Sequence, residues 1–258
     1  MNLGLDGKTA LVVGGGSGLG RAVALALAGE GANVAVAGRR LERLEETVAA
    51  AGDATLAVRL DLGDRDTFAP ALDAVRARFG EVDVLFNSSG GPPPTPAAGQ
   101  PAELWSQQFE AMVLGVIQLT DRVLPAMRER GFGRVITNTS SGVVAPIPNL
   151  ALSNALRLAL AGWSKTLARE VARDGVTVNV VAPGRIATDR IRELDEARAR
   201  REGTSRAEAE RASIAAIPAG RYGEPAEFGA VVAFLASEAA SYVTGTVVRV
   251  DGGLVPSL

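Results

Sequence analysis

The first stretch of this chain with chemistry in it is a glycine-rich turn, Gly14-Gly15-Gly16-Ser17-Gly18-Leu19-Gly20. Glycine has no Cβ, so such a turn lets phosphate oxygens approach backbone N–H groups at the positive end of a helix. A strand before the turn, a helix after it and a second strand at Asn33–Ala37 supply the context that a dinucleotide site requires. That second strand runs into Gly38-Arg39-Arg40, where sites that prefer NAD usually carry a carboxylate for the ribose 2′-hydroxyl. A guanidinium at Arg39 suits a 2′-phosphate instead, which makes NADP the expected cofactor. NAD is the alternative, should Arg39 only cover the adenine or face water.

Composition removes several other chemistries. The 258 residues contain no His and no Cys, so there is no imidazole base, no thiolate nucleophile or metal ligand, and no disulfide. No metal site is expected. The 27 Lys and Arg are interleaved with 29 Asp and Glu, for a net charge of -2. Without a basic stripe, nucleic acid is not an expected partner. The opening Met1-Asn2-Leu3-Gly4-Leu5-Asp6 lacks the basic and apolar regions of a leader, and no apolar run approaches the ~18 residues of a membrane span. A cytoplasmic protein acting on a small molecule, away from membranes, is the expectation.

The elements that must position these groups alternate between β-branched runs and stretches of helical period, the pattern of βαβ units around a parallel sheet. Strands are expected at Thr9–Val13, Asn33–Ala37, Thr55–Leu60, Val82–Phe86, Gly133–Asn138, Thr177–Ala182 and Thr246–Val250. Helices are expected at Gly18–Glu30, Leu41–Ala51, Arg65–Phe79, Pro101–Arg130, Leu150–Arg173 and Pro225–Ser237. The implied fold is a single α/β domain over residues 1–258, a doubly wound Rossmann-type sheet of seven parallel strands with helices on both faces. Arg185–Tyr222 breaks the rhythm, and its middle, Glu193–Arg211, is charged and weakly amphipathic. It reads as a mobile lid over a site, with a solvated helical hairpin as the plainer reading.

These motifs together resemble the short-chain dehydrogenase/reductase family, and within it the reductases of 3-oxoacyl carrier-protein substrates. Gly14, Gly18 and Gly20 fall on the family's T-G-x-x-x-G-x-G glycines, with Val13 in place of its Thr. Asp61-Leu62 matches the adenine-contacting Asp and its neighbour. Asn87-Ser88-Ser89-Gly90 stands where the family has N-N-A-G. Val178-Asn179-Val180-Val181-Ala182-Pro183-Gly184, with Ile186 and Thr188, matches the stretch that wraps the nicotinamide. The tail from Phe234 to Gly253 has the family's pattern as well. The resemblance therefore places the cofactor against Gly14, Gly16, Ser17, Gly18, Leu19, Gly20, Arg39, Asp61, Leu62, Asn87, Ser88, Gly90, Pro183, Gly184, Ile186 and Thr188.

The same resemblance exposes a departure. Family members handle protons with a Ser, a Tyr and Lys in Y-x-x-x-K, and a helix Asn. Counting back from Trp163-Ser164-Lys165-Thr166-Leu167-Ala168 puts Ser153 at the Tyr position and Arg157 at the Lys position. That register keeps the catalytic Ser as Ser140 and makes the Asn position Met112. Another register assigns Leu150 and Asn154 to these roles, but it breaks the spacing to Ser140 and Lys165. Tyr222 and Tyr242 lie in the C-terminal third and cannot fill the gap by position. A phenol with pKa near ~10, lowered by an ammonium, protonates an alkoxide near neutral pH. A serine is a poorer acid, and an arginine with pKa above about 12 does not cycle a proton, although Arg157 can hold the nicotinamide ribose and stabilise negative charge.

Three readings follow. The leading one is an NADP-dependent oxidoreductase on a carbonyl or alcohol, with Ser140, Ser153 and Arg157 in an atypical proton-handling site. General acid–base help is worth about 10²–10⁴ in rate, so the altered site implies slow turnover of ordinary ketones. The second is a cofactor-binding pseudoenzyme. The third, a dehalogenase-like lyase of the kind that uses Ser, Tyr and Arg, conflicts with the retained glycines. The rigid runs Gly90-Gly91-Pro92-Pro93-Pro94-Thr95-Pro96 and Ala145-Pro146-Ile147-Pro148-Asn149 read as substrate-pocket walls. The family resemblance also implies a homo-oligomer, tetramer or dimer, paired through the two long helices.

Overall fold

The computed structural model describes residues 3–257. Met1 and Asn2, which open the stretch read above for a leader, and Leu258, the last residue of the expected domain, lie outside the described residues. Seven strands form one parallel sheet: β1 (Thr9–Val13), β2 (Asn33–Gly38), β3 (Thr55–Arg59), β4 (Val84–Asn87), β5 (Gly133–Asn138), β6 (Val176–Pro183) and β7 (Val247–Val250). Their order across the sheet is β3-β2-β1-β4-β5-β6-β7. Each strand pairs in parallel with its neighbours. The central strands are buried on both faces, which is why β1 reads as an unbroken apolar run.

Helices cover both faces. On one side α1 (Gly18–Gly29), α2 (Leu41–Ala51) and α9 (Pro225–Ala236) bury Val23, Leu27, Leu44, Phe228 and Val232 against Val12, Val34 and Phe86. On the other, α3 (Phe68–Phe79), α5 (Gly115–Glu129) and α6 (Ala151–Val171) bury Phe68, Leu72, Leu119 and Leu160 against Leu11, Leu85 and Val135. The chain winds outward in one direction from β1 and in the other from β4. The crevice between their carboxyl ends is the point at which such sheets bind ligands.

One expectation needs correction. The helix expected over Pro101–Arg130 is split into α4 (Ala102–Phe109), a π-helical turn at Glu110–Leu114, and α5. Gly115 explains the break, because a Cβ there would lie 2.1 Å from the Leu62 carbonyl oxygen. The helix is pressed that closely onto the loop after β3, and the wider turn absorbs the misfit. Met112 sits buried inside it.

Arg185–Tyr222 forms the helical hairpin of the plainer reading, although its centre is buried and not solvated. It contains α7 (Asp189–Glu202) and α8 (Arg206–Ala215), the latter opened by a Ser205–Glu208 capping box. The hairpin is organised by a buried carboxylate in place of an apolar stripe. Asp195 is 2% exposed and accepts hydrogen bonds from Arg185 Nη1 (3.0 Å), Ser213 Oγ (3.1 Å) and the Tyr222 hydroxyl (2.6 Å). Burial, with the Asp195 hydrogen bond, pushes the Tyr222 phenol up to about 12.

Asp195→Ala removes all three bonds and should cost about 3–5 kcal/mol, the usual cost of taking one partner out of a buried ion pair. Hydrogen exchange should show protection lost over residues 189–215 and retained in the sheet. Uniform loss, or none, would mean that Asp195 does not hold the hairpin.

Candidate active site

At the carboxyl end of β1 the chain turns so tightly that two glycines are obligatory. Gly14 has φ +76, and a Cβ on it would lie 2.7 Å from the Ser88 carbonyl oxygen. A Cβ on Gly20 would lie 2.1 Å from the Gly14 carbonyl oxygen. The N–H groups of Gly14 and Gly15 are already donated to Ala37 O. Those of Gly18, Leu19 and Gly20 occupy the first turn of α1, where no intrahelical acceptor exists. Gly16, Ser17, Gly18 and Leu19 retain solvent access. Arg39, exposed at the end of β2, has no ion pair among the described residues. Beyond β3, Asp61 Oδ1 accepts from Gly63 N and the Leu62 side chain is buried.

Across the crevice, the end of β4 presents a polar row. Asn87 is fully buried, with its Nδ2 donating to Thr120 Oγ1 while its Oδ1 has no partner. Ser88 Oγ accepts from Asn138 Nδ2 at 3.1 Å. Ser89 Oγ and Asn138 Oδ1 are also buried without partners. Ser140, just past β5, accepts from Gly142 N at 3.1 Å, which leaves its O–H free to donate.

Ser153 and Arg157 lie one turn apart on α6 and enter the same space. Arg157 Nε donates to Ser153 Oγ at 3.2 Å, Nη1 to Asn138 O at 3.1 Å, and Nη2 to Gly90 O. The Leu150 and Asn154 register has different geometry: Leu150 precedes α6, and Asn154 is tied by both side-chain atoms to Ile147. Arg157 is only 6% exposed, and among the described residues no carboxylate pairs with it. Burial, then the nearby Arg190 charge, lowers its pKa from the usual arginine value to about 10. The group stays protonated at neutral pH, as a cation held by neutral acceptors. No tyrosine or lysine substitutes nearby: Tyr222 is engaged by Asp195, Tyr242 is fully exposed, Lys8 stacks on Phe132 and Lys165 donates to Gly245 O.

The two proline-rich runs meet. Thr95 N donates to Asn149 O at 2.8 Å and Ala151 N to Thr95 O at 3.1 Å, joining them into one wall beside α6. The opposite side comes from the end of β6, where Gly184 N is held by Val250 O, Ile186 is buried and Thr188 Oγ1 donates to Ile186 O. A groove of about 880 Å³ between α1 and α9 reaches Gly18 and Thr188 but none of Ser140, Ser153 and Arg157. Sequence reasoning missed Arg190, which opens α7 and donates to Pro92 O at 3.1 Å. Its place in the crevice depends on the hairpin, which no sequence period announced.

A model of the family described as enoyl-(acyl carrier protein) reductase matches residues 14–255. The chain belongs to the short-chain dehydrogenase/reductase family of oxidoreductases. It is 38% identical over 255 residues to the 3-oxoacyl-[acyl-carrier-protein] reductase of Escherichia coli, covering 96% of this chain and 98% of that protein. L-sorbose reductase from Gluconobacter frateurii, solved with NADPH and L-sorbose, superposes with a TM-score of 0.93 at 31% identity and full coverage of both chains. An actinorhodin polyketide ketoreductase solved with NADPH gives 0.91 at 34% identity, covering 96% of this chain and 97% of that one. The seven-stranded parallel fold is therefore that of this family.

Because burial disfavours the charged form of Arg157 at every pH below about 10, the cation costs stability through the physiological range. At ~1.4 kcal/mol per unit, the lowering amounts to about 3 kcal/mol, partly offset by hydrogen bonds worth ~1 each. Arg157→Met should therefore leave the stability of the ligand-free protein within about 1 kcal/mol of the wild type, some 2–4 °C in melting temperature. A loss of more than that amount would make the guanidinium a structural tie instead.

Proposed function

We propose that this chain is an NADP-dependent oxidoreductase acting on a carbonyl or alcohol, with Ser140, Ser153 and Arg157 handling the proton. The observation that carries this reading is the Arg157 side chain, which joins Ser153 to the Gly90 and Asn138 carbonyls at the sheet's ligand-binding edge. The residues present fit a pyridine dinucleotide: the Gly14 and Gly20 cradle admits no side chain, and Asn87 Oδ1 is an orphaned buried acceptor. In this reading the amides of Gly16, Ser17, Gly18, Leu19 and Gly20 take the diphosphate, Arg39 the 2′-phosphate, and Asp61 and Leu62 the adenine. Asn87, Ser88, Gly90 and Arg157 face the nicotinamide ribose, and Pro183, Gly184, Ile186 and Thr188 flank the ring. The NADPH in the two solved relatives supports that choice of cofactor.

The cofactor supplies or accepts the hydride when bound. The chain does the rest. Ser140 donates its free O–H to the carbonyl oxygen and so polarises it. Ser153 already accepts from Arg157 Nε, so its own hydrogen points away from the guanidinium and is available to the developing alkoxide. Arg157 remains charged and stabilises the seryl oxygen as the proton leaves, and water restores it. The arrangement exchanges a good acid for a poor one held against a cation, which suits slow reduction or a strongly electrophilic carbonyl. The hairpin 185–222 acts as the lid. Half-exposed Phe109, Leu158 and Val247 support a homo-oligomer, dimer or tetramer, and a cytoplasmic location fits the sequence.

Ser153→Ala should lower kcat about 10–100-fold with the NADPH Kd unchanged, read by cofactor absorbance over a panel of ketones, aldehydes and alcohols. If the wild type binds NADPH but turns over none of the panel, the pseudoenzyme reading takes its place. Arg39→Asp should raise the NADPH Kd at least tenfold and shift preference toward NADH. A wild type that already favours NADH removes Arg39 from the phosphate site.

A further inference from the structure

We infer that Arg157 and Arg190 together form a carboxylate receptor, so that the substrate is a small oxo acid or hydroxy acid; the inference deepens the proposed reductase function and rests on it. Four observations carry it. Arg157 is buried and all three of its hydrogen bonds go to neutral oxygens. Arg190 stands beside it, with its Nη2 on Pro92 O. Both reach one point, because the position of a Cβ on Gly91 would lie 3.7 Å from Arg157 Nη2 and 3.6 Å from Arg190 Nη2. Two like charges converging there, one of them cut off from water, are unfavourable until an anion joins them.

Among the described residues no carboxylate is shown joining the two guanidiniums. From Val84 to Ala102, and again from Gly133 to Arg169, there is no Asp or Glu, and these stretches contain the walls of the site. The one carboxylate on Arg190 is Glu193 at 3.5 Å, an exposed pair one turn along α7, which screens weakly. Glycine at 91 keeps the space between the guanidiniums free of any side chain. Two guanidiniums suit a planar carboxylate better than a neutral ester or amide.

A phosphate of the cofactor could satisfy the same two cations, so the test separates the sources. The probes are 2-oxobutanoate, 3-oxobutanoate and 4-oxopentanoate, each against its methyl ester, with NADPH-loaded enzyme. Turnover is followed by cofactor absorbance and binding by calorimetry. For at least one pair the acid should exceed its ester at least tenfold in kcat/KM or in affinity, and Arg190→Gln should cut that ratio at least tenfold. Esters equal to or better than their acids in all three pairs overturn the receptor while leaving the reductase reading intact. Tighter binding of an acid, dependent on Arg190 but without turnover, retains the receptor and sinks the reductase. If Arg190→Gln weakens NADPH binding tenfold and leaves the acid-to-ester ratio unchanged, the anion is the cofactor's phosphate and the inference fails.

Discussion

A guanidinium removed from water with no carboxylate beside it is an unstable element to build around, and the site is built around Arg157. Its three hydrogen bonds go to Ser153, Asn138 O and Gly90 O, so β5, the loop after β4 and the start of α6 are all registered on one cation. Those contacts use three of its five N–H donors and leave its charge unneutralised. Folding therefore leaves a positive potential at the edge of the sheet, where a ligand with negative charge, or a substrate that develops it, gains the most.

The fold exists to hold that point still. β1 and β4 part at their carboxyl ends, and the Gly14 turn approaches Ser88 so closely that only glycine fits. The same turn thus frames the solvent-accessible start of α1 on one side and fixes the polar row of β4 on the other. Thr95 clamps the two proline-rich runs into a single wall, and Asp195 clamps the helical hairpin that delivers Arg190. Each clamp uses a buried polar group in place of apolar packing, which gives direction as well as cohesion.

Most of the sheet could be read from residue order because parallel strands covered on both faces leave apolar runs, and the glycine turn leaves its own pattern. What escaped has a physical cause in each case. The π-turn at Glu110–Leu114 answers a contact between Gly115 and Leu62 that lies outside any local window. The α7–α8 hairpin is organised by Asp195, and a charged residue at the centre of a packed hairpin reads as a solvated one. Ser153 and Arg157 were legible only through family register, since a serine and an arginine one helical turn apart are commonplace. Their meeting with Gly90 and Asn138 needed the sheet.

The central claim is that Arg157 is a buried cation without a counter-ion, and 13Cζ magnetic resonance of labelled arginine, titrated with alkali, measures it directly. In the ligand-free protein the Arg157 signal should titrate near pH 10, well below the other arginines, and its midpoint should climb once NADP and 3-hydroxybutyrate are bound. An Arg157 signal that stays charged through pH 12 in the free protein, or a midpoint indifferent to both ligands, would contradict the account.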